Sequence, residues 1–161
     1  MLIFGHIGLT LGIAWFVESK LKIRMDYRLI LVGSLLPDII DKPVGMILLP
    51  LNNGRVFGHT LLFLTILLLI GLKYRKLSLA FASFLHLVED EMWNEPETLF
   101  WPFTSFPAKE HVSLYEYALK IISEYIPSPS HTFISEVIGL IIILAFLKRR
   151  KLIDPFSRLH R

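Results

Sequence analysis

Six ionisable side chains lie within or at the edge of strongly apolar stretches of this sequence. They are His6, Asp38, Asp41, His59, His86 and Asp90. Ionisable groups in such surroundings are energetically expensive and usually functional. Imidazole and carboxylate ligands without a thiolate are typical of catalytic Zn²⁺, Mn²⁺ or Fe²⁺ sites, and the chain contains no cysteine. We therefore expect a centre for one or two divalent ions, with zinc favoured over manganese and iron.

Two pairs among these residues have the spacing of a single helical face. His86 and Asp90 are four residues apart, and Asp38 and Asp41 are three apart. Within a helix, each pair can therefore reach one ion or two adjacent ions. Pro37 predicts a bend or the start of a helical segment, whose exposed backbone must line a polar cavity rather than face lipid.

Five apolar stretches must position these side chains. A helix that crosses the hydrocarbon core of a membrane, which is roughly 30 Å thick, needs about 20 apolar residues. The shorter stretches therefore require amphipathic extensions or a thinned bilayer. The pattern predicts an all-α fold, a membrane-embedded helical bundle of about five spans, in a single domain over residues 1–161. The stretches cover residues 2–17, 29–50, 58–72, 77–90 and 133–147.

The composition agrees with a membrane protein. Hydrophobic residues make up 53% of the chain and charged residues 19%, against about 45–50% and about 25% in soluble domains. The mean hydropathy is +0.56. A disordered chain, a soluble secreted scaffold and a nucleic-acid-binding module are thereby disfavoured. The isoelectric point near 9.2 comes from basic residues at the ends of apolar stretches, so we expect membrane lipids as partners and no nucleic acid.

The basic residues also predict the orientation of the spans. With the N-terminus outside and alternating spans, 13 of the 17 lysines and arginines lie on the inner side. The positive-inside rule favours this arrangement. We therefore expect a multi-pass protein of the inner (plasma) membrane, with the N-terminus outside and the C-terminus in the cytoplasm. The outer basic residues are Lys42, Arg55, Lys109 and Lys120.

This topology places the six ionisable side chains at one depth. At about 1.5 Å per helical residue, they lie roughly 15 to 21 Å from the inner basic anchors. Segments that run in alternating directions thus bring their titratable groups into one layer, in the outer half of the membrane. The inner half is apolar, as in residues 61–71, which favours a pocket open on one side over a path across the membrane.

The long connection over 91–132 is predicted to lie outside. Its first part is aromatic and interrupted by prolines, and it is interpreted as an aromatic cluster in an interfacial belt. Over 109–126, apolar residues at spacings of three and four predict an amphipathic helix on the surface or over the bundle. Pro127 and Pro129 are expected to end it. The aromatic residues are Trp93, Phe100, Trp101, Phe103 and Phe106, and the apolar residues of the helix are Val112, Tyr115, Leu119, Ile122 and Ile126.

The order of the motifs resembles a known family. The sequence carries GH at 5–6, LLPD at 35–38, FGHT at 57–60, HLVED at 86–90 and MWNEPETLFWP at 92–102. This order resembles the LexA-regulated, inner-membrane-associated family of metal-dependent hydrolases, which is similar to zinc-dependent phospholipase C and to single-strand-specific zinc nucleases. The resemblance covers about residues 5–107, and its most specific part is the H-x-x-x-D motif with the downstream Trp-Pro at 101–102. It implies metal ligands at His6, Asp38, His59, His86 and Asp90.

Two positions depart from the pattern of that family. The second acid of the PDxD-type pair stands one residue late, at Asp41. Gly54 stands where the first histidine of an HRGxTH-type segment is common. The resemblance therefore implies a smaller metal site than in the relatives.

The expected chemistry is hydrolysis assisted by the bound ions, which make water nucleophilic and stabilise the developing charge. Asp41 or Glu89 is expected to serve as the base or as the partner of a ligating histidine. For Asp41, an ion pair with Lys42 is the alternative. Arg55 is expected to hold a phosphate or to extend to the headgroup level. A cleft at this depth suits a phosphoester of a lipid or polyprenyl substrate.

Two non-catalytic functions remain as alternatives. A small ion or proton carrier requires polar residues through the inner half of the spans, which this sequence does not show. A degenerate hydrolase that acts as an assembly or stress partner would bind metal without turnover. Of the other polar residues, Glu136 is expected to face the bundle or to cap a helix after Thr132, and His111 and His131 are expected at the surface.

Overall fold

The computed structural model describes residues 1–49, 51–110, 113–124 and 130–157. Every regular element within these ranges is helical, which confirms the predicted all-α class. The α-helices are α1 (Ile3–Leu21), α2 (Tyr27–Pro43), α3 (Leu61–Tyr74), α4 (Ser78–Glu89), α5 (Pro96–Leu99), α6 (Leu114–Glu124) and α7 (His131–Ser157). A π-helical turn, Val44–Leu48, follows α2, and 3₁₀ turns at Phe57–His59 and Met92–Asn94 precede α3 and α5.

The helix boundaries follow from local capping. The side chain of Asp26 accepts hydrogen bonds from the backbone N–H groups of Arg28 and Leu29, and Thr60 accepts one from Phe63. These contacts satisfy donors that the first turn of a helix leaves free. The C-termini of α1 and α3 are each followed by a residue in the left-handed conformation, Lys22 after α1 and Arg75 after α3. The result is two tight turns, one between α1 and α2 and one between α3 and α4.

The bundle is built from pairs of neighbouring helices. α1 packs along α7 and α2 along α4, while α2 also contacts α1 and α3 contacts α4. The closest approach is between α1 and α7, where a Cβ atom on Gly8 would lie 2.1 Å from the carbonyl oxygen of Gly139. No other residue type fits at Gly8 without moving the helices apart. The core between the helices is formed by Leu11, Ala14, Ile30 and Ala82, with a second cluster of Phe63, Leu67 and Ala80.

Each predicted apolar stretch overlaps a helix, but among the described residues only one helix has the length and composition of a membrane span. Within the described residues, His131–Arg149 of α7 is long and apolar enough to cross a membrane. α3 and α4 are apolar but have 14 and 12 residues. The number of spans therefore stays a prediction. α2 continues through Pro37, so that proline does not start a helical segment.

The connection after α4 is compact where the structure describes it. The ring of Trp101 stacks on Phe106 with 5.1 Å between centroids and meets the edge of Phe57 at 6.0 Å. Phe103, by contrast, is 94% exposed, so the predicted aromatic cluster forms only in part. The predicted surface helix appears as α6, Leu114–Glu124. Val112, Ile126, Pro127 and Pro129 lie outside the described residues.

Candidate metal centre

The predicted ligands come together at one end of the bundle. Neighbouring helices alternate in direction, so the start of α1, the end of α2, the start of α3 and the end of α4 lie side by side. His6 belongs to the first turn of α1, and His59 directly precedes α3. Asp38 and Asp41 lie near the end of α2, and His86 and Asp90 at the end of α4. The single layer of titratable side chains that the sequence predicts is therefore present.

Three fully buried imidazoles form the middle of the site. The rings of His6 and His86 stack with 4.0 Å between centroids. The Nε2 atoms of His59 and His86 lie 3.2 Å apart. All three side chains have no exposed surface, so their polar atoms must find partners inside the protein.

Each imidazole is anchored through Nδ1. His59 Nδ1 lies 2.7 Å from a carboxylate oxygen of Asp41, and His6 Nδ1 lies 2.8 Å from Glu89. His86 Nδ1 lies 2.7 Å from the backbone carbonyl of Ser34. A carbonyl or an ionised carboxylate only accepts hydrogen bonds, so each Nδ1 is the donor. In the neutral ring, the proton on Nδ1 leaves a lone pair on Nε2.

When the three rings are neutral, their Nε2 atoms are therefore unprotonated acceptors that lie close together. His59 and His86 bring two acceptors into contact at 3.2 Å, and His6 Nε2 has no hydrogen-bond partner in the structure. Two buried acceptors that face each other are unfavourable unless a proton or a metal cation lies between them. This arrangement fits a divalent metal ion, since neutral imidazole nitrogen is a common ligand of such ions.

Two carboxylates border the same space. Asp90 has one oxygen 3.3 Å from His6 Nε2 and the other 3.6 Å from His59 Nε2, while Asp38 lies 3.9 Å from His59 Nε2. Ligand atoms fall into two groups whose members lie within 4.8 Å of one another. The groups are His6, Asp38 and His86, and His59, His86 and Asp90. Both groups depend on His86 Nε2, because His86 Nδ1 is hydrogen-bonded to the backbone carbonyl of Ser34.

Asp41 supports the site without facing it. Its carboxylate is fully buried and accepts hydrogen bonds from the backbone N–H groups of Val56, Gly58 and His59, at 2.6, 2.6 and 3.1 Å. With the bond from His59 Nδ1, both oxygens are engaged. Of the roles predicted for Asp41, its contacts support that of partner to a ligating histidine. The alternative ion pair is absent, because Lys42 contacts Asp38 instead, at 2.7 Å.

Glu89 has the same relation to His6 that Asp41 has to His59. One carboxylate oxygen contacts His6 Nδ1 and the other accepts a hydrogen bond from the hydroxyl of Thr10, at 3.0 Å. Of the two roles expected for Glu89, base or partner of a ligating histidine, these contacts support that of partner. The contact between His86 and the backbone carbonyl of Ser34 was not predicted, because a backbone acceptor cannot be recognised from residue types.

Arg55 forms ion pairs with two carboxylates at the site. Its guanidinium contacts Asp90 at 2.9 and 3.0 Å and Glu95 at 2.8 Å. Burial lowers the pKa of Arg55, but the two carboxylates outweigh it and raise that pKa above its usual range. Burial likewise raises the pKa of Glu95, but Arg55 and Lys109 outweigh it and hold that pKa below its usual range. Both groups are therefore charged at neutral pH, and the pairing with Glu95 is one that sequence reasoning missed.

Glu136 fixes the start of α1 from the facing helix. Its carboxylate accepts hydrogen bonds from the backbone N–H groups of Leu2, Phe4 and Gly5, at 3.0, 2.9 and 2.8 Å. An anion at a helix N-terminus is stabilised by the free N–H groups and by the helix dipole. Glu136 thus faces the bundle, as expected, and caps α1 rather than its own helix. His6 directly follows the capped residues.

Comparison with known proteins identifies one similarity. A family model described as YdjM inner membrane protein matches residues 1–152. No curated protein matches the chain, and no solved structure matches it. The family match agrees with the inner-membrane part of the resemblance seen in the motifs, and its description names no activity.

Proposed function

The chain belongs to the YdjM inner membrane protein family, and we propose that it is a membrane-bound, metal-dependent hydrolase of a phosphoester in a lipid or polyprenyl substrate. One observation carries the proposal: three buried histidines, each hydrogen-bonded through Nδ1, offer their Nε2 atoms to two overlapping groups of ligands that include Asp38 and Asp90. Such a set of nitrogen and oxygen ligands is typical of catalytic rather than structural metal sites.

The proposed topology has five spans, formed by α1, α2, α3, α4 and α7. The N-terminus is outside and the C-terminus in the cytoplasm, which puts the site at the outer face. The tight basic turns at Lys22 and Arg75 then lie on the inner side, as the positive-inside rule requires. At about 1.5 Å per residue, α3 is roughly 21 Å long, so this topology requires a locally thinned bilayer around α3 and α4.

The proposed ligands are the Nε2 atoms of the three histidines and the carboxylates of Asp38 and Asp90. Zinc is favoured, and manganese or iron would use the same atoms. A divalent ion held there supplies Lewis acidity toward a phosphoryl oxygen and makes water nucleophilic near neutral pH.

The remaining residues of the site orient these ligands. Asp41, Glu89 and the carbonyl of Ser34 hold the Nδ1 protons, which keeps each Nε2 free and makes it a better ligand. Asp41 also fixes the backbone from Val56 to His59. In this proposal Asp41 is a positioning residue that acts through His59.

Arg55 is the proposed contact of the substrate phosphate. Its side chain is 31% exposed and contacts Asp90 at 2.9 Å, so it reaches both the surface and the site. Guanidinium groups bind phosphate through paired hydrogen bonds. In the absence of substrate, Asp90 and Glu95 keep the guanidinium in place.

A hydrolase is favoured over a carrier by the distribution of buried titratable groups. Among the described residues, the buried ones are His6, Asp41, His59, His86 and Glu136. All five lie at the site end of the bundle. Toward the basic turns, the described residues include no further buried titratable side chain, which favours a one-sided site over a pathway.

The test is turnover by the protein purified in an uncharged detergent. We expect release of the phosphorylated headgroup or of phosphate from a panel of phospholipids and polyprenyl phosphates when Zn²⁺, Mn²⁺ or Fe²⁺ is supplied. Arg55→Gln should raise KM more than it lowers kcat, because the proposed contact is to the ground-state phosphate. Glu97→Gln, which removes an exposed charge nearby, serves as the control. Metal binding without turnover of any substrate in the panel would support the degenerate-hydrolase alternative instead.

A further inference from the structure

The end of the bundle opposite the histidines carries an apolar groove between α1, α2 and α7. The groove has a volume of about 630 Å³. Leu11, Leu31, Ile143 and Phe146 are among its wall residues, and Arg28 lies at its mouth. It therefore combines a long apolar surface with a cation at one end.

Two aromatic contacts place α7 beside the turn between α1 and α2. The ring of Tyr27 packs against Phe146 with 4.9 Å between centroids. The guanidinium of Arg149 lies over the ring of Trp15, at 4.6 Å from its centroid. Arg149 of α7 therefore lies near the turn between α1 and α2, which contains further basic residues.

Three cations in this turn have no partner in the part of the chain that the structure describes. The side chains of Lys22, Arg24 and Arg28 are exposed and form no hydrogen bond or ion pair there. Two acids lie in the same region; Asp26 itself lines the groove, and both acids already accept hydrogen bonds. Glu18 accepts hydrogen bonds from the Tyr27 hydroxyl and the backbone of Met25, and Asp26 caps α2. Over residues 18–28, four basic residues stand against these two acids, so the region around the mouth carries a net positive charge.

We propose that this groove binds an acyl chain of an anionic phospholipid whose phosphate pairs with Arg28. The apolar walls stabilise only a ligand that has a hydrocarbon chain, which excludes free phosphate as the natural occupant. Basic pockets between membrane helices are known sites for anionic headgroups. The proposal depends on the chain lying in a membrane, as its family does, and is independent of the hydrolase.

The experiment compares phosphatidylglycerol with phosphatidylcholine carrying the same acyl chains. The protein is purified in an uncharged detergent, and bound lipid is counted by native mass spectrometry while Tm is followed as each lipid is added. We expect phosphatidylglycerol to bind more tightly and to raise Tm further. Arg28→Gln should weaken its binding about fivefold and leave phosphatidylcholine unchanged. Leu31→Trp, which fills the groove from an exposed position, should weaken binding of both lipids.

Two variants control for charge and for bulk. Lys76→Gln removes one positive charge from the other basic turn, and Leu69→Trp adds an indole on an exposed face of α3; both should bind lipid like the parent protein. Equal binding of the two lipids, equal losses in Arg28→Gln and Lys76→Gln, or an equal rise in Tm with inorganic phosphate alone would overturn the proposal. Arg28 is exposed and its side chain has no described partner, so Arg28→Gln is expected to fold. It therefore tests the proposal even if Leu31→Trp fails to fold.

Discussion

At the scale of single residues, the site depends on which nitrogen of each histidine carries the proton. Asp41, Glu89 and the carbonyl of Ser34 each accept from an Nδ1 atom. They thereby leave the Nε2 atoms of His6, His59 and His86 as ligands. The partners of the histidines are as much a part of the proposed centre as the histidines themselves.

Glu89→Ala tests this dependence. Loss of the Glu89 carboxylate frees His6 Nδ1, so the ring loses both its orientation and its tautomer. We expect metal affinity to fall about 10- to 100-fold, the usual cost of removing such a partner. The measurement is competition with a chromophoric chelator. Glu91→Ala is the matched control, since Glu91 lies two residues further on and its carboxylate contacts Asn94; equal affinities in the two variants would contradict the assigned role.

Much of the site is predictable from residue types alone. His6, Asp38, His59, His86 and Asp90 are detectable because each is ionisable in or beside an apolar stretch. The carbonyl of Ser34 is not detectable, since a backbone acceptor has no signature in the sequence. The ion pairs of Arg55 with Asp90 and Glu95 join residues 35 and 40 positions apart, and only the fold brings these together.

At the scale of elements, the helices are held in register by close backbone approach. α1 and α7 cross where Gly8 faces Gly139, and Glu136 of α7 caps the start of α1 nearby. These contacts set the position of α1, and of His6 on it, relative to α7. The sequence predicts the helices and their apolar stretches well, because hydrophobicity marks them. It predicts the ends of the helices less well, since α7 continues past the predicted apolar stretch, 133–147, into the basic run and beyond it.

Gly8→Ala tests the crossing of α1 and α7. The new Cβ atom would lie 2.1 Å from the Gly139 carbonyl oxygen, so the helices must separate. We expect a loss of about 1–3 kcal/mol in the free energy of unfolding, as in other overpacked cores, measured by denaturant or thermal unfolding in detergent. Gly54→Ala is the control, because a Cβ atom there would have its nearest contact at 3.7 Å. An unchanged stability of Gly8→Ala would show that α1 and α7 do not pack this closely.

At the scale of the whole molecule, the two basic turns and the candidate metal centre lie at opposite ends of the bundle. The basic turns and the end of α7 form one end, and the histidines and Arg55 form the other. In the proposed topology, the positive-inside rule orients the bundle with its site outward. Hydropathy alone does not settle the number of spans, because α3 and α4 are shorter than a typical bilayer requires.

Labelling of single cysteines tests this orientation. The chain has no cysteine, so each introduced thiol is the only one present. In intact cells, a membrane-impermeant maleimide should label Glu97→Cys, on the site side, and should label Arg24→Cys only after the membrane is opened. Both residues are exposed. The reverse pattern would place the site on the cytoplasmic face.

The most direct test of the account is the metal content of the purified protein. The proposed centre requires His86 in both groups of ligands, whereas His131 is an exposed histidine on α7. Elemental analysis should find one or two divalent ions per chain in the parent protein and in His131→Ala, and should find most of that metal lost in His86→Ala. An unchanged metal content in His86→Ala would contradict the central claim that the buried histidines bind the ion.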